Sequence, residues 1–266
     1  MHLIDRALLL RRHPYSETSA VVSVLTREHG LVRILARGVH RPRSRFYAVL
    51  DYFDELELEW SPTKGGGLAN LRAGRLLLRR RGITRDLDRY RAAGSILELA
   101  AVGARPSQVE SPMFDLLGAS LQALHLEAAT PDSIRVTFQL EFLRLHGLFP
   151  ALEQCAACGR EAPATSGPPP RVGFSAGAGG RLCTVCCVEA RASGKRVGTM
   201  PLDVLAVAAK MSRGEEHRHS PALLLRVRDF IERFLDYHLE ARPRSHRLFL
   251  AENNRNAAQQ PTTAGD

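Results

Sequence analysis

The chain has 266 residues, 44% of them hydrophobic and 24% charged, which is enough to bury a core and long enough for two compact domains or one domain with a sizeable insertion. No stretch approaches the roughly 20 apolar residues that span a bilayer, and the run Ala7–Leu10 is too short for a secretory signal, so we expect a cytoplasmic, nucleoid-associated protein with reduced thiols. The net charge is +9 at pH 7 and is uneven: residues 1–85 carry 16 Lys+Arg against 8 Asp+Glu, a net of +8, whereas residues 86–266 carry 21 against 20.

Residues 1–80 read as strands. Leu3 to Leu10 is a mostly apolar run, Ala20 to Leu25 is rich in Val, and Leu31 to Ala36 follows the turn-like Glu28-His29-Gly30. Leu56 to Trp60 alternates apolar and acidic residues, the pattern of a strand with one wet face, and Ala69 to Leu78 follows a Pro62 and Gly65-Gly66-Gly67 connection. Five short strands joined by tight turns predict a small closed barrel, an OB-fold or on pattern alone an SH3-like barrel. From residue 85 the pattern becomes helical, with helices predicted near 86–104, 111–127, 131–146, 201–212 and 221–240. Ser111-Pro112, Thr130-Pro131 and Ser220-Pro221 each offer a capping hydroxyl before a proline at the first helical position. A segment rich in Cys, Gly and Pro interrupts the helices. The expected division is therefore a barrel over 1–82, a helical domain over 83–151 and 196–252, a metal module over 152–195, and a disordered tail over 253–266. The fold class is α+β multidomain.

Two constellations carry chemistry. Cys155-Ala-Ala-Cys158-Gly and Cys183-Thr-Val-Cys186 each put two thiolates on a tight turn, and two such turns complete a tetrahedral zinc shell. Cys187 competes with Cys186 for the fourth position, and two-residue spacing favours Cys186. Four thiolates leave no open position for water, so the expected Zn2+ is structural. The second constellation is basic. Arg33, Arg37, Arg41, Arg43 and Arg45 fall within 13 residues and lead into Phe46-Tyr47. Arginines on a mobile loop beside an aromatic such as Tyr47 suit backbone contacts plus base stacking, with Arg11 and Arg12 extending the same face. Phe46 and Tyr47 serve equally well as core residues. Arg79-Arg80-Arg81 is a second cluster, read either as a contact or as a solvated linker. A cationic excess at one end suits a polyanion, because each neutralised phosphate releases condensed counterions.

Signatures of catalysis are absent. Lys64-Gly-Gly-Gly lacks the Gly-Lys-Ser/Thr ending of a P-loop, the ten histidines are scattered, and adjacent carboxylates such as Asp54 and Glu55 point to opposite faces of a strand. The expectation is a binding protein, not an enzyme. A rival reading is an RNA-binding or translation-associated protein, since barrels and zinc ribbons also occur there.

Three stretches resemble the RecO family of recombination mediators. They are YSETSAVVSVLTREHGLVRILARGVHRPRSRF at residues 15–46, CAACG with FSAGAGGRLCTVC in the cysteine module, and FLDYHLEARPRSHRLFL at residues 234–250. The resemblance implies an OB-fold followed by a helical domain carrying a zinc module, binding of single- and double-stranded DNA, and annealing of complementary strands. It implies work in recombinational repair by the RecF pathway with RecR, contact with the C-terminal tail of single-stranded DNA-binding protein (SSB), and help in loading RecA. By the same resemblance Arg37, Arg43 and Arg45 sit in the basic loop, and Cys155, Cys158, Cys183 and Cys186 at the zinc positions. Two features depart from the family pattern: APATSGPPPR lengthens the zinc hairpin, and Pro243 interrupts the closing segment.

Overall fold

A computed structural model describes residues 2–44, 46, 49–63, 67–106, 108–164, 167–215 and 219–240. Arg45, Tyr47, Pro243 and the tail over 253–266 lie outside the described residues. Contacts divide the chain into two compact units, Met1–Arg135 and Val136–Asp266.

In the first unit, β1 (Leu3–Pro14), β2 (Ala20–Thr26), β3 (Gly30–Ala36), β4 (Glu55–Ser61) and β5 (Ala69–Leu78) close a barrel in the order β1-β2-β3-β5-β4. All neighbours are antiparallel except β3 and β5, which run parallel. This is the OB-like architecture, and it decides between the two barrels that the pattern alone allowed. Alternation supplies the core: Ala7 and Leu9 of β1, Val22 and Val24 of β2, Ile34 and Ala36 of β3, and Leu56, Leu58 and Trp60 of β4 all face inward. Burying each large aliphatic side chain contributes about 1.5–3 kcal/mol.

The β3–β4 connection is anchored at three described positions, Val39, Phe46 and Leu50, which are buried in the same core. Phe46 is accordingly a core residue and is not available for stacking.

Two helices complete this unit. Asp86 caps α1 (Leu87–Gly103) by accepting a hydrogen bond from Arg89 N at 2.8 Å. Helix α2 (Ser111–Leu126) departs from expectation at its start. Glu110 holds the N-cap position, and the Ser111 hydroxyl donates to Arg27 O at 3.0 Å, stitching α2 to the β2–β3 turn. Helix α1 packs against β1 and α2 against β2, so Leu8 and Leu25, which face out of the barrel, are fully buried.

Helix α3 (Pro131–Leu145) begins as predicted, with Thr130 Oγ1 accepting from Ser133 N at 3.3 Å. In the second unit β6 (Arg171–Ser175), β7 (Gly180–Leu182) and β8 (Gly198–Pro201) form a sheet in the order β7-β6-β8 around the cysteine module, with α4 (Thr184–Ala192) between β7 and β8. The sheet therefore runs past residue 195. Helices α5 (Leu202–Ser212) and α6 (Pro221–His238) pack together, and Phe174 of β6 meets Phe230 and Phe234 of α6 edge-on at 5.2 and 6.2 Å. Ser220 caps α6 as predicted. Among the described residues no helix is long and apolar enough to cross a membrane.

Candidate nucleic-acid interface and metal centre

The barrel sorts its arginines by side. The acidic alternation of β4 neutralises one flank. Glu55 takes Arg6 at 2.6 Å and Arg80 at 3.3 Å, and Glu57 takes Arg75 at 2.9 Å. Asp54 takes Arg79 at 3.5 Å, and Asp115 of α2 holds Arg27 through two bonds of 3.0 Å. On the β1–β2–β3 flank, by contrast, Arg11, Arg33, Arg37 and Arg41 are exposed and have no carboxylate partner among the described residues.

Register explains how they gather. Arg11 of β1 lies opposite Ser23 of β2, which lies opposite Arg33 of β3, so the two arginines flank a small hydroxyl on the outer surface. A bulge between Leu9 and Arg11 makes this possible: strict alternation would turn Arg11 inward with Ala7 and Leu9, and the extra residue re-aims it. Two further steps along β3, past Leu35, lies Arg37 at the edge of a cleft of about 290 Å³ lined by Tyr15, Thr18, Ser19, Leu35, Arg37, Gly38 and Arg41. Gly38 turns the chain here at φ 67°, with Gly38 N donating to Ser19 Oγ and His40 N to Thr18 O. The cleft brings a largely exposed aromatic ring, Tyr15, beside two unpaired guanidinium groups. Exposed charge next to an accessible ring can hold phosphate and stack a base.

Not every predicted residue joins this surface. Arg12 lies opposite Val22, an inward position, and so stands at the barrel mouth rather than beside Arg11. It donates to Leu50 O at 3.2 Å and lies over the Tyr52 ring at 5.9 Å. Arg43 is exposed on the connection beyond the cleft. Of the Arg79–Arg81 cluster, the first two are committed to carboxylates and only Arg81 has an exposed, unpaired side chain. Sequence reasoning missed Tyr15, Ser23 and the Thr18-Ser19 pair. Tyr15 is an aromatic next to a polar turn and was visible in principle, whereas Ser23 gains meaning only from register.

The four predicted cysteines come together as expected. Cys155, Cys158, Cys183 and Cys186 bring their Sγ atoms within 4.8 Å of one another, with Cys158 and Cys183 at 3.9 Å. A tetrahedral Zn–S shell with bonds of about 2.3 Å needs sulfurs about 3.8 Å apart, so the donor set fits the ion. Cys187 is excluded: its Sγ packs against Gly173 and contacts Leu182 O at 3.9 Å. The thiols are electrostatically unequal. Burial works to raise Cys155, but the backbone amides of Cys183, Cys158 and Ala157 outweigh it and bring the thiol down to about 6. The hydrogen bond to Cys183, followed by burial, pushes Cys186 up. Four sulfurs packed this closely cannot all ionise without a cation, and a divalent ion would supply the missing charge.

The chain is similar to known proteins over most of its length. Residues 1–79 match the family described as Recombination protein O N terminal, and residues 84–247 match Recombination protein O C terminal. The chain is 34% identical over 242 residues to the DNA repair protein RecO of Anaeromyxobacter sp. (strain Fw109-5), covering 91% of this chain and 93% of that one. It is 35% identical over 246 residues to DNA repair protein RecO of Anaeromyxobacter dehalogenans (strain 2CP-C), covering 91% and 93%. Against DNA repair protein RecO of Bacillus subtilis (strain 168) it is 35% identical over 151 residues, 57% of this chain and 58% of that one.

Proposed function

The chain belongs to the RecO family of DNA repair proteins, and on that premise we propose that it is a DNA-binding recombination mediator whose contact surface is the β1–β2–β3 flank of the barrel. One observation carries this reading. The carboxylate-free arginines Arg11, Arg33, Arg37 and Arg41 share one flank, while the opposite flank is neutralised pair by pair. Surface charge that merely solubilises a protein has no reason to segregate in this way.

Annealing complementary strands needs no nucleotide and no proton chemistry, so a binding protein suffices and no enzymatic step is invoked. Two strands repel through their phosphates, and an arginine-lined surface lowers that repulsion while leaving base edges free to pair. The family resemblance adds partners to this proposal: RecR, the SSB tail, and RecA loaded on SSB-coated single strands in the RecF pathway. It also adds a cytoplasmic location beside the nucleoid. Residues Cys155, Cys158, Cys183 and Cys186 would hold a structural Zn2+, whose contribution is to fix the two cysteine turns against each other.

The test is a titration of the full chain with single-stranded DNA across a salt series. Each phosphate contact contributes about 0.7 to the slope of log K against log salt. Replacing Arg33 and Arg37 together with Ala is expected to reduce the slope by about 1.4. A slope unchanged in the double variant removes this flank from the interface.

A further inference from the structure

The Arg79–Arg81 run and the first turns of α1 play no part in the barrel flank. Residues 79–91 hold six arginines and two aspartates. Arg79 and Arg80 are committed to Asp54 and Glu55, and Arg89 to Asp86 and Glu127. The Arg81 and Arg85 side chains, by contrast, are exposed and without a carboxylate partner among the described residues. Close to them in sequence Tyr90 of α1 is 50% exposed, with Leu87 one turn before it also exposed.

What lies behind Tyr90 gives this ring a purpose. It stands perpendicular to the ring of Phe53 with centroids 5.5 Å apart, an edge-to-face arrangement in which Phe53 occupies at most one face of Tyr90. Phe53 in turn lies 6.2 Å from Tyr52, and Tyr52 carries the Arg12 guanidinium above it at the barrel mouth. Phe53 is buried, and its backbone sits at φ 72°, a region that bulky side chains rarely adopt and that costs about 1–3 kcal/mol. The buried Arg80 clamps that backbone, donating from Nη1 to Phe53 O and from its backbone N to Asp54 Oδ1, each at 2.8 Å. A strained residue is thus held in place with its ring wedged against Tyr90, which keeps the exposed ring fixed before any ligand arrives. A fixed ring binds a partner with little ordering entropy.

We propose that Tyr90 is a stacking platform for an unpaired base, carrying a single DNA strand beyond the barrel mouth onto α1, with Arg81 and Arg85 on its phosphates. The proposal rests on the reading of the barrel as a DNA-binding surface. Charge selects this occupant: an exposed ring on the helix that the Ile83–Arg85 turn contacts, with Arg81 and Arg85 uncompensated, suits a strand with both π-faces and negative phosphates.

The experiment is an anisotropy titration of the full chain with an oligothymidine and with a duplex of equal length. Tyr90→Ala is expected to weaken single-strand binding roughly five- to hundredfold, leave the salt slope unchanged, and spare duplex binding. Tyr90→Phe is expected to retain wild-type affinity. In Tyr90→Trp the added fluorescence is expected to be quenched by the oligonucleotide, against a Trp60 background that is buried in the barrel. Wild-type affinity in Tyr90→Ala, an equal loss on duplex, or an unquenched Trp at 90 overturns the platform. An Arg33/Arg37 double variant with the full salt slope overturns the barrel reading instead, so the two failures are distinguishable.

Discussion

Arg80 shows what a single residue contributes when charge is taken out of water. Its side chain is 2% exposed and faces Asp54 and Glu55, at 7% and 9%. Burial is the largest influence on both Arg80 and Asp54, lowering the guanidinium and raising the carboxyl from their ordinary values. The cluster therefore depends on its hydrogen bonds: Arg80 also reaches Phe53 O at 2.8 Å and Gln122 Oε1 at 3.2 Å. Removing one partner of such a group leaves the others buried and uncompensated, so Arg80→Met is expected to destabilise the first unit by about 3–5 kcal/mol. Urea unfolding followed by the emission of Trp60, the chain's one tryptophan, measures this directly. A loss under about 1 kcal/mol, the range of an exposed pair, would show that the cluster is not a structural clamp. This residue also marks a limit of sequence reading. Three consecutive arginines look equivalent in the sequence, yet burial makes one a core residue, gives one a carboxylate partner and leaves one exposed. Similarly, Asp54 and Glu55 are adjacent residues that alternation points apart, yet both reach Arg80, one through its backbone N and one through its guanidinium.

At the scale of elements, the strands and helices were legible because each obeys a strong local rule. Alternation marked β4, valine richness β2, and a hydroxyl before proline marked the start of α6. The β1 bulge was not legible, since nothing in Leu9-Leu10-Arg11 states that an extra residue is accommodated there. That bulge decides which face Arg11 occupies. The small sheet around the cysteines also escaped notice, because strands of three to five residues carry too little pattern. The β2–β3 turn shows local and long-range demands agreeing. Gly30 adopts φ 65°, and a Cβ there would lie 1.9 Å from Gln108 O, a backbone atom that cannot rotate away. Leu31 N meanwhile donates to Arg105 O, and Asp5 anchors the turn by accepting from Glu28 N at 2.7 Å. Gly30→Ala therefore adds a backbone clash to the roughly 1 kcal/mol of left-handed strain. It is expected to lower the urea midpoint of the Trp60 transition well beyond the effect of Gly94→Ala, where an added Cβ meets nothing and helix propensity favours alanine. Equal midpoints for the two variants would refute the close approach.

For the whole molecule, the barrel and the cysteine module draw their stability from different sources. The barrel buries large aliphatic and aromatic side chains on every strand. Among the described residues the buried cluster around the cysteines comprises Cys155, Ala162, Leu182, Cys186 and Ala190, with Ala156, Ala178 and Val197 packed against it, small side chains that bury little apolar surface to offset the ordering of the turns that carry the sulfurs. In a module this small the free energy of metal binding is folding free energy. Chelation is therefore expected to open the cysteine turns while leaving the emission of Trp60 and its urea transition unchanged. Thiol titration reads the first half of this statement. The metal-loaded chain is expected to show at most one reactive thiol, that of Cys187, which lies outside the four-sulfur cluster, and the chelated chain all five cysteines. Cys187→Ser should abolish the residual reactivity without changing the metal content of one ion per chain. Four thiols that stay protected after the metal is removed would mean that packing alone holds the module, and a Trp60 transition that moves with chelation would mean that the barrel depends on it.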